Sequence, residues 1–358
     1  MRKSTRNLVS VAAGLSLLAT ACGTSDADEL SISNAVSADL PTVAVSTNIL
    51  GDVVQNLIGD QANVVTIMPV GTDPHDFQAS AQQVALMESA DALVINGAFF
   101  EEGIWDIFES VEESGVPVVS AIDFVETIEF GEEIGHDDEE EEDSHDDEEE
   151  EEEDGHDEEE EEEEDGHDDE EEEDGHGHEE DGADPHFFTD PARVALAADG
   201  LVDFLSANVE GVDADTLAAN ADSYIGELEA LDAEVEALVD GIPEDQRVLI
   251  TNHEVFGYFA DNYGFEVAGT IIPSGSTNDG ASGQDLAELA ELIEFEGVAA
   301  IFAETSSPDA LATTLADEVG DISVVELFSE SLGDADSDGA TYIAMVRTNA
   351  ERIAEALS

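Results

Sequence analysis

The chain has 358 residues, with 93 Asp and Glu against seven Lys and Arg, and a formal net charge of −86 at pH 7. Such a surface repels polyphosphates and anionic headgroups and attracts cations, so nucleic-acid binding is excluded as a function class. The single cysteine, Cys22, excludes an internal disulfide and a thiolate metal cage.

The N-terminus carries Arg2, Lys3 and Arg6, an apolar run from Leu8 to Leu18, and then Ala19-Thr20-Ala21-Cys22. A basic start, a short apolar stretch and small residues describe a secretory signal peptide over residues 1–21. The cysteine that follows resembles a bacterial lipobox, although Ala19 stands where leucine is usual. That resemblance implies a lipid on Cys22 and an extracytoplasmic protein anchored to the cell membrane. Residues 22–40 read as a tether. A chain starting at Cys22 keeps four basic residues, Arg193, Arg247, Arg347 and Arg352. Of the acids, 37 lie between Glu132 and Asp181 and 56 elsewhere, so the folded body is itself anionic. Self-repulsion strains such a body and salt relieves it, which predicts a saline habitat.

From Thr42 onward, short β-rich runs alternate with helical patterns. Strands are expected at Val43–Ser46, Val64–Met68, Ala92–Asn96 and Val118–Ala121, with helices at Ile49–Ile58 and Ala79–Ala90. Alternation of this kind argues for a parallel sheet with crossover helices, here an N-terminal lobe over residues 41–210. Residues 129–182 have no hydrophobic period and repeat Asp-Gly-His inside glutamate runs. They cannot bury apolar surface, so a disordered acidic insertion in the first lobe is expected. Next, Leu217, Ala221, Tyr224, Leu228, Leu231, Val235 and Leu238 form one apolar seam, predicting a long linking helix over 213–240. Gly241 and Pro243 stop it. A second lobe over 245–358 has strands expected at Val248–Thr251, Glu266–Ile271, Ala299–Ala303 and Ile322–Leu327, and a closing helix at Tyr342–Leu357. The expected fold is α/β, with two mostly parallel sheets flanked by helices and joined by one long helix, as a monomer.

Three of nine histidines stand in short polar motifs: Asp73-Pro74-His75, Asp184-Pro185-His186 and Asn252-His253-Glu254. The other six, His136, His145, His156, His167, His176 and His178, all lie in the acidic tract. Histidine is the commonest metal-ligating side chain. His75 and His253 follow expected strands, where ligands bind in open parallel sheets, and Glu330 in Phe328-Ser329-Glu330-Ser331 reaches the same edge. Three imidazoles and a carboxylate make a four-coordinate shell, with nitrogens at about 2.0–2.1 Å if the ion is Zn2+. Mn2+ is the alternative, and imidazole-rich donors favour zinc. The tract histidines read as weaker, auxiliary metal sites.

Pro69-Val70-Gly71-Thr72-Asp73-Pro74-His75-Asp76-Phe77, Asp91 to Gly97, Asp184 to Pro191 and Thr251 to Phe259 fall in the order found in one family. Phe328 to Ser331 and Tyr342 to Asn349 complete the series. The chain resembles the zinc- and manganese-binding receptor lipoproteins of bacterial ABC importers. That resemblance implies His75, His186, His253 and Glu330 as metal ligands between two lobes, and delivery to a membrane permease with its ATPase. Two departures stand out. Phe188 replaces a frequent tryptophan, and Glu330 is one methylene longer than the usual aspartate, with Asp334 the next carboxylate along. The rival readings are a metal-scavenging or adhesin protein without a transporter, and a zinc hydrolase. The second is disfavoured because Gly257 stands where a helical zinc-protease motif needs its second histidine.

Overall fold

Eight short strands form two four-stranded sheets in the computed structural model, which describes residues 37–130, 182–320 and 322–358. Cys22, the signal segment and the six tract histidines lie outside the described residues. The first sheet comprises β1 (Thr42–Val45), β2 (Asn63–Thr66), β3 (Ala92–Ile95) and β4 (Val118–Ser120), in the order β2-β1-β3-β4. The second comprises β5 (Val248–Thr251), β6 (Glu266–Thr270), β7 (Ala300–Glu304) and β8 (Ser323–Leu327), in the order β6-β5-β7-β8. Every pairing is parallel. Each sheet therefore reverses its winding direction beside its first strand, at β1/β3 and at β5/β7, and at such a switch point the loops diverge and leave a crevice.

Helices α1 (Asn48–Ile58), α2 (Ala81–Glu88) and α3 (Trp105–Glu113) serve the first sheet. Local chemistry fixes their starts: Thr47 caps α1, and a reciprocal Ser80–Gln83 capping box starts α2 two residues later than its apolar pattern suggested. After α4 (Pro191–Asn208), with Asp190 as its cap and Pro191 in its first turn, comes α5 (Ala214–Val239). At 26 residues α5 spans about 39 Å. Its buried seam is the expected one with a single correction: Val239 is buried where Leu238 was expected, and Leu238 is only partly covered. A strict 3-4 spacing averages 3.5 residues and drifts against the 3.6-residue turn, so the last contact slips by one position. The second sheet carries α6 (Gly257–Tyr263), α7 (Gly283–Glu296) and α8 (Ala310–Val319), and the described chain closes with α9 (Tyr342–Ala356).

The packing joins the two lobes through a shared core. One continuous core includes Val53 and Leu57 of α1, Leu201 and Leu205 of α4, Leu228 and Val235 of α5, and Met345 and Ile353 of α9. It also takes in Val43 and Val94 from the first sheet and Leu249 and Phe302 from the second. Separate clusters lie beneath α2 and α3, and beneath α7 and α8, on the outer faces. Prising the lobes apart would re-expose the shared core, at about 1.5–3 kcal/mol per large aliphatic side chain. No helix of the described residues is long and apolar enough to cross a membrane.

Candidate metal centre

His75 is delivered by the loop after β2. Its backbone N–H donates to Asp73 Oδ1 at 3.0 Å, which holds the Asp-Pro-His turn. Its ring Nδ1 lies 3.0 Å from Glu102 Oε1. Glu102 opens a short 3-10 turn after β3, and Glu101 beside it does different work. The Glu101 carboxylate is fully buried and accepts the backbone amides of Asn96 at 2.7 Å and Gly97 at 3.3 Å. Burial pushes its carboxyl above the usual range. It braces a run of left-handed residues, Gly97, Ala98 and Phe99 (φ 94°, 49° and 56°). That turn sends the Phe100 ring against His75 and His186, at 5.3 and 5.5 Å between centroids.

The second Asp-Pro-His turn is wired differently. Asp184 Oδ1 takes both the backbone N–H of His186 at 2.8 Å and its ring Nδ1 at 2.7 Å. Asn96 Nδ2 donates to Pro185 O at 2.9 Å, and the Tyr258 hydroxyl donates to Asp184 O at 2.6 Å. Gly257 is required by this packing, since a Cβ there would lie 2.7 Å from Asp184 Oδ2. Phe188, in the place of the frequent tryptophan, is buried against Phe100 and His186.

From the second lobe, His253 follows β5, and its Nδ1 sits 2.6 Å from Glu304 Oε1 at the end of β7. Glu304 Oε2 in turn accepts the Ser329 hydroxyl at 3.1 Å. Glu330 follows β8. Its strand exit is pinned by Asn349, which accepts Phe328 N–H at 2.9 Å and donates back to Phe328 O. Asn48 at the start of α1 accepts Leu332 N–H at 2.6 Å and ties this segment to the first lobe. Asp334 is exposed.

These four side chains converge. Their ligand atoms lie within 4.8 Å of one another, and all four residues are buried. Glu330 Oε1 is 2.9 Å from His75 Nε2, 3.4 Å from His253 Nε2 and 3.6 Å from His186 Nε2. A tetrahedron built on metal–ligand distances of about 2.0–2.1 Å has edges of about 3.3 Å, which these separations bracket. The three Nε2 atoms and both Glu330 oxygens are buried with no hydrogen-bond partner outside this cluster. Each Nδ1 faces a carboxylate, which can only accept, so a neutral ring keeps its proton on Nδ1 and aims the Nε2 lone pair inward. The desolvated groups also perturb one another. Burial disfavours charge on His75, but the negative Glu330 and Glu102 outweigh it and raise the imidazole to about 9. His253 is raised well above its ordinary value: burial opposes the charge, and Glu304 and Glu330 override it. Burial alone would raise Glu330, yet the neighbouring imidazoles hold it well below the usual carboxylate range.

Residues 43–356 match the family model described as zinc-uptake complex component A, periplasmic. The chain belongs to that family. Its members are metal-binding receptors of ABC importers, not enzymes, which removes the hydrolase reading. The manganese-binding lipoprotein MntA of Halalkalibacterium halodurans is 24% identical over 345 residues, 96% of each chain. The zinc-binding protein TroA of Treponema pallidum is 27% identical over 323 residues, 89% of each chain. The solved structure of that periplasmic zinc-binding protein superposes with a TM-score of 0.70 at 26% identity, covering 89% of this chain and 99% of the other. The zinc-binding lipoprotein AdcA of Streptococcus pneumoniae is 29% identical over 298 residues, which is 82% of this chain and 51% of AdcA.

Sequence reasoning named the four side chains that converge. It missed the parts played by Glu101, Glu102 and Asp184. Asp184 did carry a signal: in an Asp-x-His turn the carboxylate can reach back to both the amide and the ring two residues on. The same tripeptide around His75 uses only half of that option.

Proposed function

We propose that this protein captures a divalent transition metal outside the cytoplasm and delivers it to the permease of an ABC importer, with zinc preferred over manganese. His75, His186, His253 and Glu330 hold the ion through three Nε2 atoms and a carboxylate. One observation carries this reading: three imidazoles, each held at Nδ1 by its own carboxylate, direct their Nε2 atoms at one buried carboxylate, with no partner outside the cluster. A three-nitrogen, one-oxygen donor set suits zinc, whereas sites richer in carboxylate and water suit manganese. A carboxylate in the fourth position closes the shell, which favours retention over turnover. Release then requires the lobes to shift when the receptor meets the permease, within the small range that the shared core allows. Anchoring through lipid on Cys22 places the receptor at the membrane that holds that permease. The six tract histidines act as weak, fast auxiliary cation sites.

The test is titration of the lipid-free protein with zinc and with manganese, with and without residues 132–181. Tight zinc binding at one site should survive the deletion, and the weaker additional ions should disappear. Equal or tighter manganese binding would overturn the preference. A zinc stoichiometry that does not fall on deletion would remove the auxiliary role of the tract.

A further inference from the structure

The four metal-binding side chains are buried, so an ion among them departs only when part of the wall moves. One stretch of that wall, residues 273–279 between β6 and α7, crosses from the second lobe to the first. It is braced internally, with Ser274 Oγ accepting Ser276 N–H at 3.1 Å and Ser276 Oγ accepting Asn278 N–H at 3.2 Å. On its own lobe, Ser274 O accepts Glu254 N–H at 3.1 Å, beside His253.

Its contacts on the other lobe are selective. Thr277 Oγ1 donates to Asp73 Oδ2 at 2.6 Å. Asn278 Nδ2 donates to Glu102 Oε2 at 3.1 Å and to His75 O at 2.9 Å. Asp73 and Glu102 are the two carboxylates that fix His75, one through its backbone N–H and one through its ring. In both, the histidine takes one oxygen and the crossing segment takes the other. The other two rings are supported differently: the second lobe's Tyr258 reaches the backbone O of Asp184 rather than its side chain, and the carboxylates of Asp184 and Glu304 are sealed in. The side chains of Asp184 and Glu304 are 3% and 1% exposed, against 29% for Glu102. His75 is thus the ligand whose support is open to solvent and depends on the neighbouring lobe.

We propose that Thr277 and Asn278 are positioning residues that clasp the second lobe onto both supports of His75, so that opening the clasp and loosening His75 from the ion are one event. The inference rests on the metal-capture reading above and adds the route by which lobe movement reaches a ligand. It also assigns release to the His75 side of the site.

The experiment is stopped-flow transfer of zinc from the loaded full chain to excess chelator, following the slow phase that reports the buried site. Asn278→Ala removes both donations, and Thr277→Val removes one. The net worth of such bonds corresponds to release about 25-fold and about fivefold faster, respectively, with association unchanged. Asn278 is exposed and Thr277 partly so, and unfolding of the ion-free variants should match wild type. Asn278→Asp decides between a clasp and a bystander. An added negative charge near a dication should slow release by attraction alone. A clasp that has lost its donor and now repels Glu102 should release faster than wild type. Unchanged release in Asn278→Ala, or slower release in Asn278→Asp, would overturn the proposal. A wild type with no slow phase at all would overturn the capture reading, and the clasp with it.

Discussion

Glu304→Gln isolates the idea that a carboxylate behind each imidazole sets metal affinity. Glu304 is buried at the end of β7, with one oxygen 2.6 Å from His253 Nδ1 and the other accepting the Ser329 hydroxyl at 3.1 Å. Glutamine has the same shape, and its amide oxygen can still face the ring while its NH2 faces Ser329, so the tautomer and the packing survive. What is lost is the negative charge that makes the Nε2 lone pair a better donor. Changes of this kind typically cost 10- to 100-fold in metal affinity. That is about 1.4–2.7 kcal/mol. The assay is a zinc competition titration against a chelator of known affinity at neutral pH. Glu326→Gln is the control, since Glu326 is exposed on β8 and removes the same formal charge. At physiological salt, fields beyond about 8 Å are screened, so the control should change affinity less than twofold. Equal effects of the two substitutions would refute the reasoning, because overall negative charge would then account for the affinity.

Zinc binding should release protons. His75 and His253 hold their protons more tightly than free imidazoles in the ion-free site, so the metal displaces more protons than ordinary rings would give up. Three ordinary imidazoles at pH 7 would give up only about 0.7. Affinity therefore rises with pH until the raised imidazoles are neutral, near 9 for His75, and calorimetry in buffers of different ionisation enthalpy counts the protons. Gly97→Ala should destabilise the fold by roughly 1–3 kcal/mol in urea denaturation. The cause is that position 97 has φ +94° and a Cβ there would meet Ser120 Cβ at 2.7 Å and Ile122 Cγ2 at 2.8 Å. The melting temperature should climb as salt is added, because the net charge of −86 leaves a large self-repulsion to screen. A melting temperature that is highest at very low ionic strength would contradict this.

Much of the fold is legible in the residues because parallel strands buried on both faces are short β-branched runs with no competing pattern. Val43 to Val45 and Leu93 to Ile95 are of this kind, and both are buried in the first sheet. The seam of α5 is legible for the same reason, down to its last contact. Short helices such as α6, seven residues directly after the His253 motif, are not, since two turns give too few positions to establish a period. The site divides along another line. Histidines are scarce in this chain, so their placement carries information. Acids are everywhere, so the ones that matter are hidden among 93. Glu101 and Glu102 are adjacent and chemically identical, yet one is sealed against two backbone amides and the other orients an imidazole. Only the left-handed turn at Gly97–Phe99 separates their roles, and that turn is set by tertiary contacts.

X-ray absorption at the zinc edge, on the loaded protein lacking residues 132–181, bears most directly on the metal centre. The expected spectrum shows about three imidazole nitrogens and one carboxylate oxygen at about 2.0–2.1 Å, and His75→Ala reduces the imidazole count by one. A shell of oxygens alone, or an imidazole count unchanged in His75→Ala, would mean that the ion sits elsewhere.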